Sequence, residues 1–160
     1  TLLNSITGAQ VLAEDKLFAT LETAAKRWQV GSEQEIVFID TVGFIRDLPD
    51  TLLEAFQSTL EEILEADLVI NLLDGTSDAL RERQRTVTRI IRDLGAQNIP
   101  CWNVMNKVDC LDDNRRSMLC AEFDALPVSA RNRATLGPLL LRIRKFFSNP
   151  PLTGAVESVP

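Results

Sequence analysis

The run Asn106-Lys107-Val108-Asp109, inside "NVMNKVDCLD", sets an amide, an ammonium and a carboxylate in the spacing N-K-x-D. A carboxylate at the fourth position can accept from two adjacent N–H donors on the edge of a guanine ring. The Asn can stabilise the loop and reach the base, and the Lys stem can lie over the ring face. Upstream, Asp40-Thr41-Val42-Gly43 gives D-x-x-G directly after the apolar run Ile36 to Ile39. That carboxylate suits a Mg²⁺ ion, bound directly or through water. The glycine N–H can come close to a γ-phosphate oxygen because no Cβ intervenes. Further upstream, "LFATLE" contains Phe18, Ala19, Thr20, Leu21 and Glu22, of which Thr20 supplies a hydroxyl and a carbonyl. Downstream, Ser129-Ala130-Arg131 in "PVSARN" could bring backbone amides to the base from its other side. Each piece alone also reads as a polar turn after a strand. Their order along one chain points to a guanine-nucleotide site.

Such residues need elements to hold them. "TLLNSITGA" reads as a helix with Leu2, Leu3 and Ile6 on one face and Gly8 as its stop. Residues 9–34 read as polar and irregular, and 36–40 as a short, fully buried strand. A helical stripe follows at 52, 53, 56, 60, 63 and 64, with Asp50 as its N-cap. "LVINLLD" (68–74) reads as a second buried strand, with "GTSD" as a turn capping a helix over about 79–94. A third strand (99–106), a charged helix (112–122), a fourth strand (125–128) and a last helix (135–147) complete the pattern. Apolar strands alternating with helices predict an α/β fold: three layers, doubly wound, on a mostly parallel sheet. Such sheets bind ligands beyond the carboxyl ends of their strands, where Asp40, Asp74, Asn106 and Ser129 fall.

The bulk composition narrows the classes. A chain of 160 residues, 45 % hydrophobic and 25 % charged, fits one globular domain with its own core. A net charge of −6 argues against a domain held to nucleic acid or membrane by bulk charge. Histidine is absent, which removes His-based catalysis and His-containing metal sites from this chain. Cys101, Cys110 and Cys120 are odd in number and lack C-x-x-C spacing, and read as buried or idle thiols of a reducing compartment. No apolar run is long enough to span a membrane, and the chain reads as cytoplasmic.

The four motifs look like G2 to G5 of a translation-factor-class P-loop GTPase. "LAEDKLFATLE", "DTVGFIRDLPDTLLEAFQSTLEE" and "EADLVINLLD" closely resemble the GTPase domain of the HflX family, ribosome-associated GTPases. The resemblance covers about residues 1–147 and implies a Ras-like G domain. It implies GTP/GDP and Mg²⁺ as ligands, the large ribosomal subunit as partner, and a monomer. "TLLNSITGA" resembles the segment that follows the family's G-x-x-x-x-G-K-S, a motif found nowhere in these residues. The expectation is a truncated G domain lacking its first strand and P-loop, inactive alone, with a Pro-rich tail or linker at 148–160. In two places the pattern departs from the family: Glu22-Thr23 stands where an acid and a proline are common, and "SARNRATLG" where a Thr-Gly pair follows.

By the same resemblance Thr20 and Asp40 would hold Mg²⁺, and Gly43 would meet the γ-phosphate. Many GTPases orient the attacking water with a Gln after the D-x-x-G glycine; here the residue is Phe44, whose ring cannot. Gly43 and Phe44 are thus nearest the chemistry, the catalytic residue itself stays unknown, and slow basal turnover stimulated by the large subunit is expected. Arg81, Arg85, Arg89 and Arg92 recur at helical spacing, with Arg83 nearby; the stripe could touch rRNA phosphates but reads first as a solvated helix face, paired with Glu82 and Asp93. The rival function is a degenerate, non-hydrolysing GTPase-like binding module. An adenine-nucleotide enzyme is disfavoured by N-K-x-D.

Overall fold

The computed structural model describes residues 2–8, 24–30, 34–40 and 62–148. The first helix, α1 (Leu2–Thr7), buries Leu2 and Ile6 and ends at Gly8, whose φ of +72° is open to glycine without strain. Strands β1 (Ala24–Val30) and β2 (Gln34–Asp40) form an antiparallel pair, with Ala24 opposite Asp40 and Val30 opposite Gln34. Helix α2 is described only at its end, residues 62–64, so most of the helix expected from 50 to 65 lies outside the described residues. Strand β3 (Val69–Asp74), helix α3 (Leu80–Asp93), strand β4 (Cys101–Asn106), helix α4 (Asp113–Glu122), strand β5 (Ala125–Pro127) and helix α5 (Gly137–Ser148) follow. The three later strands make a parallel sheet in the order β3-β4-β5, pairing Asp74 with Asn106 and Met105 with Pro127.

β1 corrects the reading of residues 9–34 as irregular. Its pattern is period-two: Lys26, Trp28 and Val30 face inward, and Ala25, Arg27 and Gln29 are exposed. The inward set includes the charged Lys26, whose amine bonds the Asn4 side chain. β2 brings a second correction. Only Ile36 is buried, and Val37 and Ile39 are 51 % and 46 % exposed. An apolar run does not by itself reveal which of its faces is covered. The parallel strands are not apolar throughout either. Asn71 is buried and its amide bonds Asn103 Oδ1 (2.9 Å) and Gln84 Oε1, and the Asn103 amide reaches the Phe123 carbonyl (2.7 Å). Each of these side chains has a partner, which is what makes their burial tolerable.

The main core brings Ile36 and Val30 of the antiparallel pair against Val104, Val128, Leu136, Leu139 and Ile143, with Leu2 and Ile6 beside them. A second core, Leu73, Leu80, Met105, Val108, Leu119 and Ala125, fills the other face of the sheet under α3 and α4. Helix α4 starts on Asp112, whose carboxylate accepts from the Arg115 N–H (2.8 Å). Helix α3 has no side-chain cap, so the "GTSD" turn does not cap it as expected. Cys101 and Cys110 are exposed and Cys120 half-buried; all three are free, hence idle rather than buried. No described helix is long and apolar enough to cross a membrane.

Helix α5 offers a test within one turn. Ile143 is 1 % exposed and Leu141 is 53 % exposed. Ile143→Ala should cost about 2–5 kcal/mol, and Leu141→Ala less than about 0.5 kcal/mol, read by urea unfolding. Equal losses would contradict this placement of the core.

Candidate nucleotide-binding site

Three loops leave the carboxyl ends of the parallel strands and meet at one rim. β4 stops at Asn106 because Val104 and Met105 end the buried stretch. The chain then turns through Lys107, in the left-handed region at φ 62°, into a short helical turn, Val108–Cys110. That turn presents Asp109 outward while Val108 stays buried. From β5 the chain continues into Ser129, Ala130 and Arg131. The two loops are laced together. The Asn106 carboxamide oxygen accepts from the Ala130 N–H (3.0 Å), the Val128 N–H donates to the Met105 carbonyl (2.8 Å), and the Val108 N–H to the Val128 carbonyl (3.3 Å). The structure therefore brings together all seven sequence-predicted residues of these loops: Asn106, Lys107, Val108, Asp109, Ser129, Ala130 and Arg131.

The loop after β3 joins them. The Gly75 N–H donates to the Asn106 carbonyl (3.0 Å). A Cβ on Gly75 would sit 2.9 Å from Leu111 Cδ1, which could swing aside, and 3.2 Å from the Asn106 carbonyl oxygen, so the absence of a side chain eases this approach. Asp74 accepts from Lys107 Nζ (2.8 Å), from the Thr76 N–H (3.0 Å) and from the Thr76 hydroxyl (2.7 Å). Burial alone would raise the Asp74 pKa, but the hydrogen bonds from Lys107 and Thr76 outweigh it and hold the carboxyl below its ordinary value. Thr135 secures the third loop by accepting from the Ser129 N–H (2.8 Å) and donating to the Asn132 carbonyl (2.7 Å). Sequence reasoning missed Thr76 and Thr135. The first stands two residues after a strand-end Asp, a spacing that signals a side-chain turn, and the second carries no such signal.

Ser129 is fully buried, and its hydroxyl has no partner in hydrogen-bond geometry. It is still the first cause of the lowered Asp109 pKa, ahead of the opposing effect of burial and the smaller help of the Asp109 N–H, Cys110 and the Arg131 charge. We read this as a close approach short of a formed hydrogen bond.

Asp40 ends β2 and is exposed. Gln34, at the start of β2, donates to the Phe147 carbonyl (3.0 Å) at the far end of α5, whose start follows the Ser129 loop. Lys26, opposite Phe38, bonds Asn4 of α1, and the neighbouring Ser5 donates to the Ala130 carbonyl. β2 and α5 span about 23 Å and about 18 Å at ordinary rises. β2 thus starts beside the end of α5, and its pair with β1 packs against α1. Phe18, Ala19, Thr20, Leu21, Glu22, Thr41, Val42, Gly43 and Phe44 lie outside the described residues.

Polar loops at the carboxyl rim of a parallel sheet define a nucleotide-binding α/β domain. The family model for the 50S ribosome-binding GTPase matches residues 1–107. The GTPase HflX of Caldanaerobacter subterraneus subsp. tengcongensis is 43 % identical over 149 residues, which is 91 % of this chain and 33 % of that protein. Among solved structures, the SsGBP–GDP complex superposes with a TM-score of 0.64 at 28 % identity, covering 92 % of this chain and 44 % of the other. Era in complex with MgGDPNP and a segment of 16S ribosomal RNA superposes at 0.70 with 22 % identity over 91 % of this chain and 51 % of Era, a likeness of fold. The chain belongs to the 50S ribosome-binding GTPase family and is of HflX type. It spans about a third of the length of the curated relatives it matches.

The Asn106 contact should carry weight in the fold. Asn106→Ala leaves the N–H of the buried Ala130 without its acceptor and should cost about 1–3 kcal/mol in urea unfolding; an unchanged midpoint would show that the two loops hold without it.

Proposed function

We propose that this chain is the guanine-nucleotide-binding part of a GTPase that hydrolyses GTP to GDP and phosphate and acts as a conformational switch on the large ribosomal subunit. Residues 1–147 are the G domain in this reading, and 148–160 a linker. The observation that carries it is the laced rim, where the Asn106–Asp109 loop and the Ser129–Arg131 loop are joined by the Ala130 N–H to Asn106 hydrogen bond and Asp109 stays exposed. Asp109 accepts from the two N–H groups of the guanine edge, Lys107 covers one ring face, and the Ser129–Arg131 loop closes the other side, with the Ala130 N–H already given to Asn106. Adenine lacks that pair of donors, so base choice follows from leaving Asp109 unpaired.

At the phosphate end, Asp40 and Thr20 would hold Mg²⁺, which supplies charge neutralisation for the transferring phosphoryl group. The described residues contain no group of three or more metal-ligating side chains, and Mg²⁺ calls for none, since it takes one or two protein oxygens beside phosphates and water. Gly43 lets the backbone meet the γ-phosphate, and Phe44 leaves the attacking water without an orienting side chain. Residues 1–160 contain no G-x-x-x-x-G-K-[ST] motif, so these residues alone bind nucleotide weakly. The activity belongs to the full-length protein in the cytoplasm, with ribosome contacts made in large part outside these residues.

In the full-length protein, Asp109→Asn should move preference from GTP toward XTP, up to roughly 10⁴-fold in the selectivity ratio; an unaltered ratio in a competition assay removes Asp109 from base recognition. The lowered Asp109 pKa keeps the carboxylate charged down to its ordinary range, so GDP affinity should stay flat from pH 8 to about pH 5. A fall centred above pH 5 would contradict that charge state. Phe44 sets a third expectation: GTP turnover rises as large ribosomal subunits are titrated in, and a flat titration defeats the ribosomal part of the reading.

A further inference from the structure

Asp74 belongs to none of the four motifs, yet both of its carboxylate oxygens are committed within the rim. One oxygen is fixed by the Thr76 N–H and hydroxyl, at 3.0 and 2.7 Å, so the carboxylate cannot rotate freely. The other accepts from Lys107 Nζ at 2.8 Å. The Lys107 backbone is itself set at φ 62°, and the Cys110 N–H donates to its carbonyl (3.0 Å). A lysine fixed at both ends has a stem held on one line, from the strand end of β4 to the strand end of β3. Strand register guarantees that span, since Asp74 and Asn106 are direct partners across the sheet. Gly75, tucked against the Asn106 carbonyl, prevents the β3 loop from drawing away.

We propose that Asp74 is a positioning residue for guanine-nucleotide binding: anchored by Thr76, it holds the Lys107 stem as a preformed wall for the flat face of the base. This rests on the base-recognition reading above and extends it to a residue outside the N-K-x-D run. A free lysine side chain would lose rotamer freedom on stacking; one already tethered has lost it on folding, and the ligand gains by the difference. Thr76 belongs to the same device, because without it the carboxylate can turn away from Lys107 with its charge intact.

The test is a double-mutant cycle on GDP affinity in the full-length protein, followed with a fluorescent GDP analogue. Asp74→Asn should weaken binding about fivefold, the upper end for a partly exposed ion pair, and Thr76→Val should weaken it by a smaller factor. In a Lys107→Met background, which keeps an apolar stem without the charge, Asp74→Asn should have almost no further effect, because its route to the ligand has been cut. A merely structural Asp74 would weaken binding equally in both backgrounds, and that result overturns the proposal, as does an Asp74→Asn affinity equal to wild type. Should Asp74→Asn fail to fold, Thr76→Val takes its place in the cycle with Lys107→Met, and equal losses in the two backgrounds again overturn the proposal. Failure of the underlying reading looks different: the wild type would not bind GDP, or Asp109→Asn would leave the base preference untouched.

Discussion

The hydrogen bond from the Ala130 N–H to the Asn106 carboxamide is the contact on which the rim depends. β4 is the middle strand, paired on both sides, and Val104 and Met105 are wholly buried within it. The chain cannot slip along that strand without moving those side chains out of the core, so the position of Asn106 is fixed by packing. Asn106 then carries that fixed position sideways into the β5 loop. Two segments more than twenty residues apart in sequence become one surface, and the cost of Lys107 in a left-handed conformation, about 1–2 kcal/mol, is offset by the contacts it makes possible.

Electrostatics at this surface run against the intuition that a chain of net charge −6 should avoid a polyanion. The carboxylates are assigned to separate tasks. Asp74 faces a lysine, Asp109 faces outward toward where ring N–H donors would lie, and Asp40 stands at the end of β2 where a cation would be wanted. Many of the positive charges, by contrast, lie away from the rim. Arg81 is tied by two hydrogen bonds (2.6 and 2.8 Å) to Glu122, joining α3 to α4, and Arg92 lies beside Asp93. The arginine stripe of α3 is therefore partly committed to the fold, with Arg81 pairing across to Glu122 of α4.

Several elements were legible in the residues because each rests on short-range physics. Gly8 stops α1, and the helices read at about 79–94 and 112–122 are α3 and α4. β1 was not legible, because its inward alternation includes Lys26, and a charged residue disguises a half-buried strand. The exposure of Val37 and Ile39 was equally hidden, since an apolar run looks alike whether one face or both are covered.

The candidate site divides along the same line. Residue type, spacing and order along the chain pointed to the chemistry: the N-K-x-D and Ser-Ala-Arg runs to the two sides of a guanine base, the D-x-x-G run to a cation and a phosphate. Only the tertiary structure decided the company these residues keep. The Asp74–Lys107 pair, the Thr135 clamp and the burial of the Ser129 hydroxyl join positions from 6 to 33 residues apart. Such contacts follow from strand order and register, which are set by the packing of the whole core and leave no periodic trace in any one segment.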